Sequence, residues 1–423
     1  MTHIKDQDND TFIKNGLSLS LVLYAITCPI SQSANYFPMV FICIIAVYIQ
    51  LKINKSFSLP YTVKIVFGIW LALIIWQSAT LLFNGNGWSL SPLTRALSTL
   101  PIILLSGLTG DEQWKKNCAI RGFLALLSVS GTIVILGLFQ KAAGFTYPFP
   151  RQLFHEGKLY GFFGHYIHAG GFFSTLAVFS LCIVLFWHTS VKRKTFLVIL
   201  FSVLTAGALF SMSRTYYVSL FMTLPLVFLR KNRKTAFLGI SLILSLGLIL
   251  YNFSPGIRDR AISIIDLKKN PSNIERLYLW KAAMDVIQDH PVAGVGFRQW
   301  GNRVPPYLDT YTSEWNFSSA SLHHAHNAYL TVASETGLAG LLLFLGFWFY
   351  LLYLMFRTAR KVSGDTLVVA LNLGASFALV NLLIGGMFED NFGKLLNISL
   401  IAFLISLAVF VGNNGNKGYS AIE

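Results

Sequence analysis

Residues 366–387 read TLVVALNLGASFALVNLLIGGM, with no charged side chain among them. An α-helix needs about 20 predominantly apolar residues to cross the hydrocarbon core of a bilayer. In lipid every backbone N–H and C=O must be satisfied within the protein, and a helix does this within its own segment. The stretch therefore reads as a membrane-spanning helix. Comparable apolar runs recur at 17–30, 37–51, 63–83, 93–108, 119–139, 170–187, 196–210, 216–229, 236–253, 328–356 and 395–411. Twelve spans are expected, the first retained because no small-residue cleavage site follows it.

Composition agrees with that reading. The 423 residues are 54% hydrophobic and only 12% charged, against roughly 25% charged in soluble domains. A single soluble core stops growing near ~250–300 residues. A cytosolic enzyme, a disordered chain and a disulfide scaffold are all excluded. Cys28, Cys43, Cys118 and Cys182 sit in or beside apolar runs without C-x-x-C spacing, as small packing residues do.

Charge placement orients the spans. Of the 33 Lys and Arg residues, more than half fall on one side when the N-terminus is cytoplasmic and the spans alternate. Lys192-Arg193-Lys194, Arg230 to Lys234, and Arg357 to Lys361 are the main clusters. Cytoplasmic loops carry this excess, so both termini are expected in the cytoplasm. The net charge of +15 is then mostly topology, and no nucleic-acid partner is expected. The fold class is all-α, a polytopic helical bundle in an inner membrane. Residues 1–253 hold spans one to nine, 254–326 one large external loop, and 327–423 spans ten to twelve.

The large loop has a helix of its own. Pro271-Ser272-Asn273-Ile274-Glu275 has the form of a capping box. Leu277, Trp280, Met284 and Ile287 follow at helical spacing and predict one apolar face. Such a helix can lie on the bilayer or cap a cavity between spans. Asp289-His290-Pro291 ends it, and Gly294 and Gly296 mark a turn.

The external side also carries the reactive groups. His323, His324 and His326 cluster where the loop enters the tenth span. Three histidines can ligate a metal, but no cysteine or acidic residue stands at ligand spacing, so no metal is expected. A general base is the sharper reading, because imidazole titrates near ~6.5; a structural histidine is the plainer one. Gly337 and Gly340 share a helix face and suggest close helix packing. Arg214 opens a span after Ser211-Met212-Ser213. It either snorkels to headgroups or holds a phosphate through its fork. Arg276, expected in the first turn of the loop helix, opposes the helix dipole there. It either sits on a solvated face or has a reason to stay. Arg95 is of the same type. His165 and His168, three apart, fit one helix face. Glu389 and Asp390 stand where a carboxylate could orient a base or bind a sugar. The D-x-D spacing occurs only in the N-terminal tail, at Asp6-Gln7-Asp8 and the overlapping Asp8-Asn9-Asp10, and no P-loop, dinucleotide fingerprint or G-x-S-x-G is present.

His326-Asn327, nine residues, Gly337, two residues and Gly340 form a string that resembles the bacterial O-antigen ligase and polymerase superfamily. Ser213-Arg214-Thr215 opening a span, and Arg276, Trp280 and the run His290 to Gly296 in the loop, extend that resemblance. The resemblance implies a GT-C-like glycosyltransferase that needs neither metal nor cofactor. Its substrates would be undecaprenyl-diphosphate-linked O-antigen and, at the periplasmic face, lipid A–core oligosaccharide. It implies His326 as base and Arg214 and Arg276 on the donor diphosphate, with His324, Asn327, Arg95, His165, His168 and Asp390 as secondary candidates. The nearest rival is an O-antigen polymerase, whose acceptor is a second lipid-linked glycan. A twelve-span transporter or flippase would need internal pseudo-symmetry and midplane charges, and the sequence shows neither.

Overall fold

The computed structural model describes residues 2–53, 59–85, 87, 89–144, 152–265, 270–311 and 323–412. Lys55, Arg151 and Lys417 are among the basic residues that lie outside them. The order begins α1 (Thr2–Thr27), α2 (Gln32–Tyr48) with a π-helical extension (Ile49–Ile53), α3 (Tyr61–Phe83), α4 (Ser91–Leu97), α5 (Leu100–Ser106) and α6 (Glu112–Ala143). A small hairpin, β1 (Phe154–His155) with β2 (Lys158–Leu159), precedes α7 (Tyr166–Phe186), α8 (Val191–Phe210), α9 (Arg214–Lys231) and α10 (Arg233–Phe253). Next come α11 (Pro255–Ile265), α12 (Pro271–Asp289), α13 (Trp300–Arg303) and α14 (Pro305–Asp309). Last are α15 (Ala328–Lys361), α16 (Thr366–Gly386), a 3-10 turn (Asn391–Gly393) and α17 (Leu395–Gly412).

The protein is an all-α polytopic membrane protein. Among the described residues, nine helices are long and apolar enough to cross a bilayer: α2 with its extension, α3, α6, α7, α8, α10, α15, α16 and α17. That falls short of the twelve expected spans. The other three runs are helical but differ in form. Run 17–30 is the apolar second half of α1. Run 93–108 is divided into α4 and α5, with a proline at the start of α5. Pro101 has no N–H to donate, and its ring blocks a continuous helix. Run 216–229 lies in α9, which carries Pro225 inside and Arg230 and Lys231 in its last turn.

Helices α7, α16 and α17 are buried nearly all round, whereas α10 exposes most of its surface. The exposed residues of α10 include Phe237, Leu238, Leu242 and Leu248, the kind of face a bilayer covers. Inside the bundle, Asn381 Nδ2 donates to Ser174 Oγ across α16 and α7 at 3.1 Å. Such polar pairs hold helices together where lipid supplies no hydrophobic drive.

The loop helix differs from its sequence reading in two ways. Asn270 is the N-cap and Pro271 opens the helix, so the Ser272–Glu275 box is not used and Arg276 lies beyond the first turn. The buried stripe is Leu279, Ala282, Ala283 and Val286, while Leu277 and Met284 are exposed. Two alanines let α12 approach α15 closely, and Ser334 Oγ reaches Ala283 O at 3.3 Å. Close approach thus outweighs side-chain size in choosing the face.

Gly337 also differs from expectation. It interrupts α15 with φ 69° and ψ 180°, so it breaks the helix instead of packing it. The break frees carbonyls that the loop then uses. Val295 N donates to Ser334 O and Gly296 N to Glu335 O, both at 2.9 Å, and Leu338 N donates back to Pro291 O at 2.8 Å. The Glu335 carboxylate also accepts backbone N–H groups of Arg298 and Trp300. A Cβ on Gly337 would lie 1.9 Å from Val292 O, and one on Gly294 2.4 Å from Ser334 O. Gly340 keeps the packing role, with a built Cβ 3.2 Å from Trp76 Cδ1 on α3.

This predicts a sharp contrast within one helix. Gly337→Ala imposes a left-handed residue, worth about 1–3 kcal/mol, plus a collision with backbone. Its thermal midpoint in detergent should fall by several degrees. Gly346 has nothing within 4 Å of a built Cβ, and Gly346→Ala should leave the midpoint unchanged or raise it.

Candidate active site

Glu389 lies just after the end of α16, with only 3% of its side chain exposed. Its backbone is fixed from several sides. Asp390 Oδ1 accepts Gly393 N at 3.0 Å and closes the 3-10 turn. Arg95, from α4, donates to the carbonyls of Phe392 and Gly393. The Tyr216 hydroxyl donates to Asn391 Oδ1, and Asn391 Nδ2 donates to Leu382 O at 2.8 Å. Tyr216 is two residues beyond Arg214, so one hydrogen bond ties the head of α9 to the turn after Glu389. A built Cβ on Gly171 of α7 would lie 2.5 Å from Tyr216 Oη, which explains a glycine there.

His326 comes from the far end of the loop. Its Nδ1 lies 3.0 Å from Glu389 Oε2. An ionised carboxylate only accepts hydrogen bonds, so Nδ1 carries a proton and donates it to Glu389. His326 has φ 49°, a left-handed conformation that costs a non-glycine residue of order 1–3 kcal/mol. Its neighbours hold it there. His326 N donates to His324 Nδ1 at 3.2 Å. Asn327 caps α15, its Oδ1 accepting Tyr329 N and Leu330 N at 3.0 Å each. Asn327 Nδ2 donates to Met387 O at 3.0 Å and fastens this corner to the end of α16.

Glu389 gathers further partners. Arg276 of α12 places a guanidinium nitrogen 3.6 Å from Oε2, and His324 Nε2 is 3.8 Å from Oε1. Burial alone would raise the Glu389 carboxyl. The hydrogen bond from His326, with the guanidinium of Arg276 close by, outweighs it and holds the group well below the usual carboxylate range. Burial pushes His324 down to about 4, so it is neutral near pH 7. The ligand atoms of His324, His326 and Glu389 lie within 4.8 Å of one another. The fold thus supplies the acidic neighbour that local spacing did not show.

A cavity of about 470 Å³ opens beside this cluster. Arg214 and Arg276 both line it, as do His165, His168, His324 and His326. Arg260 of α11 and Lys394 add two more cations. Arg214 donates to Ser263 O at 3.0 Å, the same carbonyl that Asn273 Nδ2 reaches at 3.0 Å. Helices α9, α11 and α12 therefore meet at one backbone oxygen. His165 is the N-cap of α7, its Nδ1 accepting Ile167 N at 3.3 Å. His168 lies in the first turn of that helix, the two ring centroids are 5.8 Å apart, and both rings line the cavity. Met212, at φ 55°, is a second left-handed residue in the wall.

Three candidates lie elsewhere. Arg95 and Asp390 line a second cavity of about 540 Å³, together with His323. Asn327 is occupied by capping. His324 and Lys394 line both cavities. Sequence reading gave Glu389 no specific partner and missed Arg260 and Lys394. No local spacing links Glu389 to His326, because the turn after α16 alone brings them together.

The histidine buried neutral predicts a pH dependence of stability. An unfolded histidine titrates near ~6.5 and folded His324 near about 4. Between these values the unfolded chain binds more protons, so stability falls as pH drops through that window. The loss attributable to His324 is up to about 3 kcal/mol. Thermal midpoints of wild type and His324→Gln measured from pH 7 to 4.5 should diverge, with the variant falling less.

Comparison with known families identifies residues 196–345 as matching the family model described as O-antigen ligase. The match covers about a third of the 423 residues and is a likeness to that family, whose members are glycosyltransferase-like enzymes. It spans α8 to the middle of α15 and contains Arg214, Arg276, His326, Gly337 and Gly340. Glu389, Arg95 and Lys394 lie outside it. No curated protein matches the chain.

Proposed function

We propose that this protein is an O-antigen ligase that moves polysaccharide from undecaprenyl diphosphate to the lipid A–core oligosaccharide. Transfer would occur at the periplasmic face of the inner membrane, with both termini in the cytoplasm. The observation that carries the reading is one cavity holding Arg214, Arg276 and the His326–Glu389 pair. A lipid-diphosphate leaving group needs neutralising charge, and guanidinium forks hold phosphate oxygens bidentately. Arg260 and Lys394 add to the same positive field.

In the proposed reaction the acceptor hydroxyl oxygen attacks the anomeric carbon of the donor sugar. A new carbon–oxygen bond forms there as the bond to the phosphate oxygen breaks. The hydroxyl proton passes to His326 Nε2, and the electron pair leaves on the diphosphate. Glu389 acts as a positioning residue that fixes the tautomer and stabilises the imidazolium once it forms. A resident divalent cation at the His324, His326 and Glu389 cluster is disfavoured, because Arg276 already lies 3.6 Å from Glu389 Oε2. The donor charge is read as met by arginine instead.

The test is transfer by purified protein from lipid-linked polysaccharide to rough lipopolysaccharide. A positioned base contributes about 10²–10⁴-fold, so His326→Ala should lose that factor while keeping donor affinity. Glu389→Gln should lose less and shift the pH–rate profile, as loss of tautomer control requires. Arg214→Lys and Arg276→Lys should each fail nearly as badly as alanine, since lysine lacks the fork. Transfer should persist in EDTA; complete loss restored by magnesium would overturn the metal-free reading. In cells, deletion should give rough lipopolysaccharide with long lipid-linked polymer retained. Single-repeat lipopolysaccharide would instead identify a polymerase.

A further inference from the structure

We propose that the second cavity is the acceptor site and takes a lipid-anchored oligosaccharide. This rests on the transfer reading above and adds where the second substrate sits. The cavity measures about 540 Å³, within the range of roughly 300–1,000 Å³ typical of small-molecule sites. Its walls come from separate parts of the fold, three of which supply the groups that matter most. Trp70 and Gln77 belong to α3, Phe297 and Asn302 to the loop stitched onto α15, and Phe344 and Trp348 to α15 itself.

The chemistry of the lining suits a sugar. A pyranose presents an apolar C–H face and a rim of hydroxyls. Aromatic side chains offer the matching flat surface, and the Gln77 and Asn302 amides can each donate and accept. Carboxylates do not separate the two cavities, since each has two: Glu275 and Glu389 in the donor cavity, Glu335 and Asp390 in the second. The arginines do. The donor cavity has Arg214, Arg260 and Arg276, the second only Arg95 and Arg298, and Arg95 already donates to the carbonyls of Phe392 and Gly393, which leaves less positive charge there for a diphosphate.

Position supports the same occupant. His324 and Lys394 line both cavities, and the His324 and His326 ring centroids are 4.3 Å apart. The second cavity thus ends one imidazole ring away from the proposed base. The lipid anchor has a place as well. On α3, Phe67, Leu71 and Ile75 are exposed on a helix apolar enough to span the membrane. Acyl chains lying along that face leave the glycan toward Gln77, nearer the Phe83 end of the helix.

The experiment uses the full chain in nanodiscs. Binding is measured directly for two probes, rough lipopolysaccharide and undecaprenyl-diphosphate carrying a single repeat, and transfer to each is measured in parallel. The variants are Gln77→Ala, Asn302→Ala and the cavity-filling Ala96→Phe, each checked for an unchanged thermal midpoint. The expected result is acceptor binding weakened about tenfold, 1.4 kcal/mol, with a matching rise in acceptor KM and an unchanged donor KM. The probe so affected distinguishes a core acceptor from a lipid-linked one. Should binding weaken in the variants although wild type transfers nothing, the site stands and the transfer reading falls. Should all three variants bind both probes as wild type does, or should donor KM rise instead, the acceptor assignment is wrong.

Discussion

A carboxylate removed from water must be paired, because an isolated buried charge costs several kcal/mol. Glu389 is such a group, and the surrounding architecture serves to pair it. His326 and His324 arrive from the head of α15, and Arg276 arrives from α12. The turn that carries Glu389 is braced by Arg95 from α4 and Tyr216 from α9. One buried charge thus sets the relative placement of five segments that are distant in sequence. The same pairing orients the His326 imidazole beside a cavity rich in arginine, so the requirement for stability and the proposed means of catalysis coincide.

The second organising feature is backbone. Breaking α15 at Gly337 frees the carbonyls of Ser334 and Glu335, and the Gly294–Gly296 turn donates to them. The loop is therefore not a separate cap resting on the bundle. It is hydrogen-bonded into α15, the spanning helix that begins just after His326. This fixes α12, and with it Arg276, at a set distance from the proposed base. Left-handed residues collect around the two cavities, at Met212, His326 and Arg298. Strain of this kind persists only where the surroundings over-determine the conformation, as the Asn327 cap and the stitched loop do here.

The sequence makes the all-α membrane fold legible because a spanning helix must be apolar along its whole length. It also singles out His326, Arg214 and Arg276 as candidates, which the fold brings to one cavity, since charged or titratable groups at the edge of apolar runs are few. Other features are not written locally. Gly337 reads as a packing glycine until the φ of 69° is known. The buried face of α12 escapes a hydrophobicity pattern because Ala282 and Ala283, not Leu277 and Met284, make the contact. Glu389 is near His326 only through the fold of α15 onto α16. Arg95 resembles the donor arginines in sequence, yet its guanidinium is spent on the carbonyls of Phe392 and Gly393.

The most direct measurement is an experimental structure of the protein in nanodiscs with a non-transferable undecaprenyl-diphosphate glycan bound. The diphosphate should lie between Arg214 and Arg276, with the anomeric carbon on the Nε2 side of His326 and the Nδ1 contact to Glu389 intact. A diphosphate seated in the second cavity, or touching neither arginine, would contradict the assignment of donor and base.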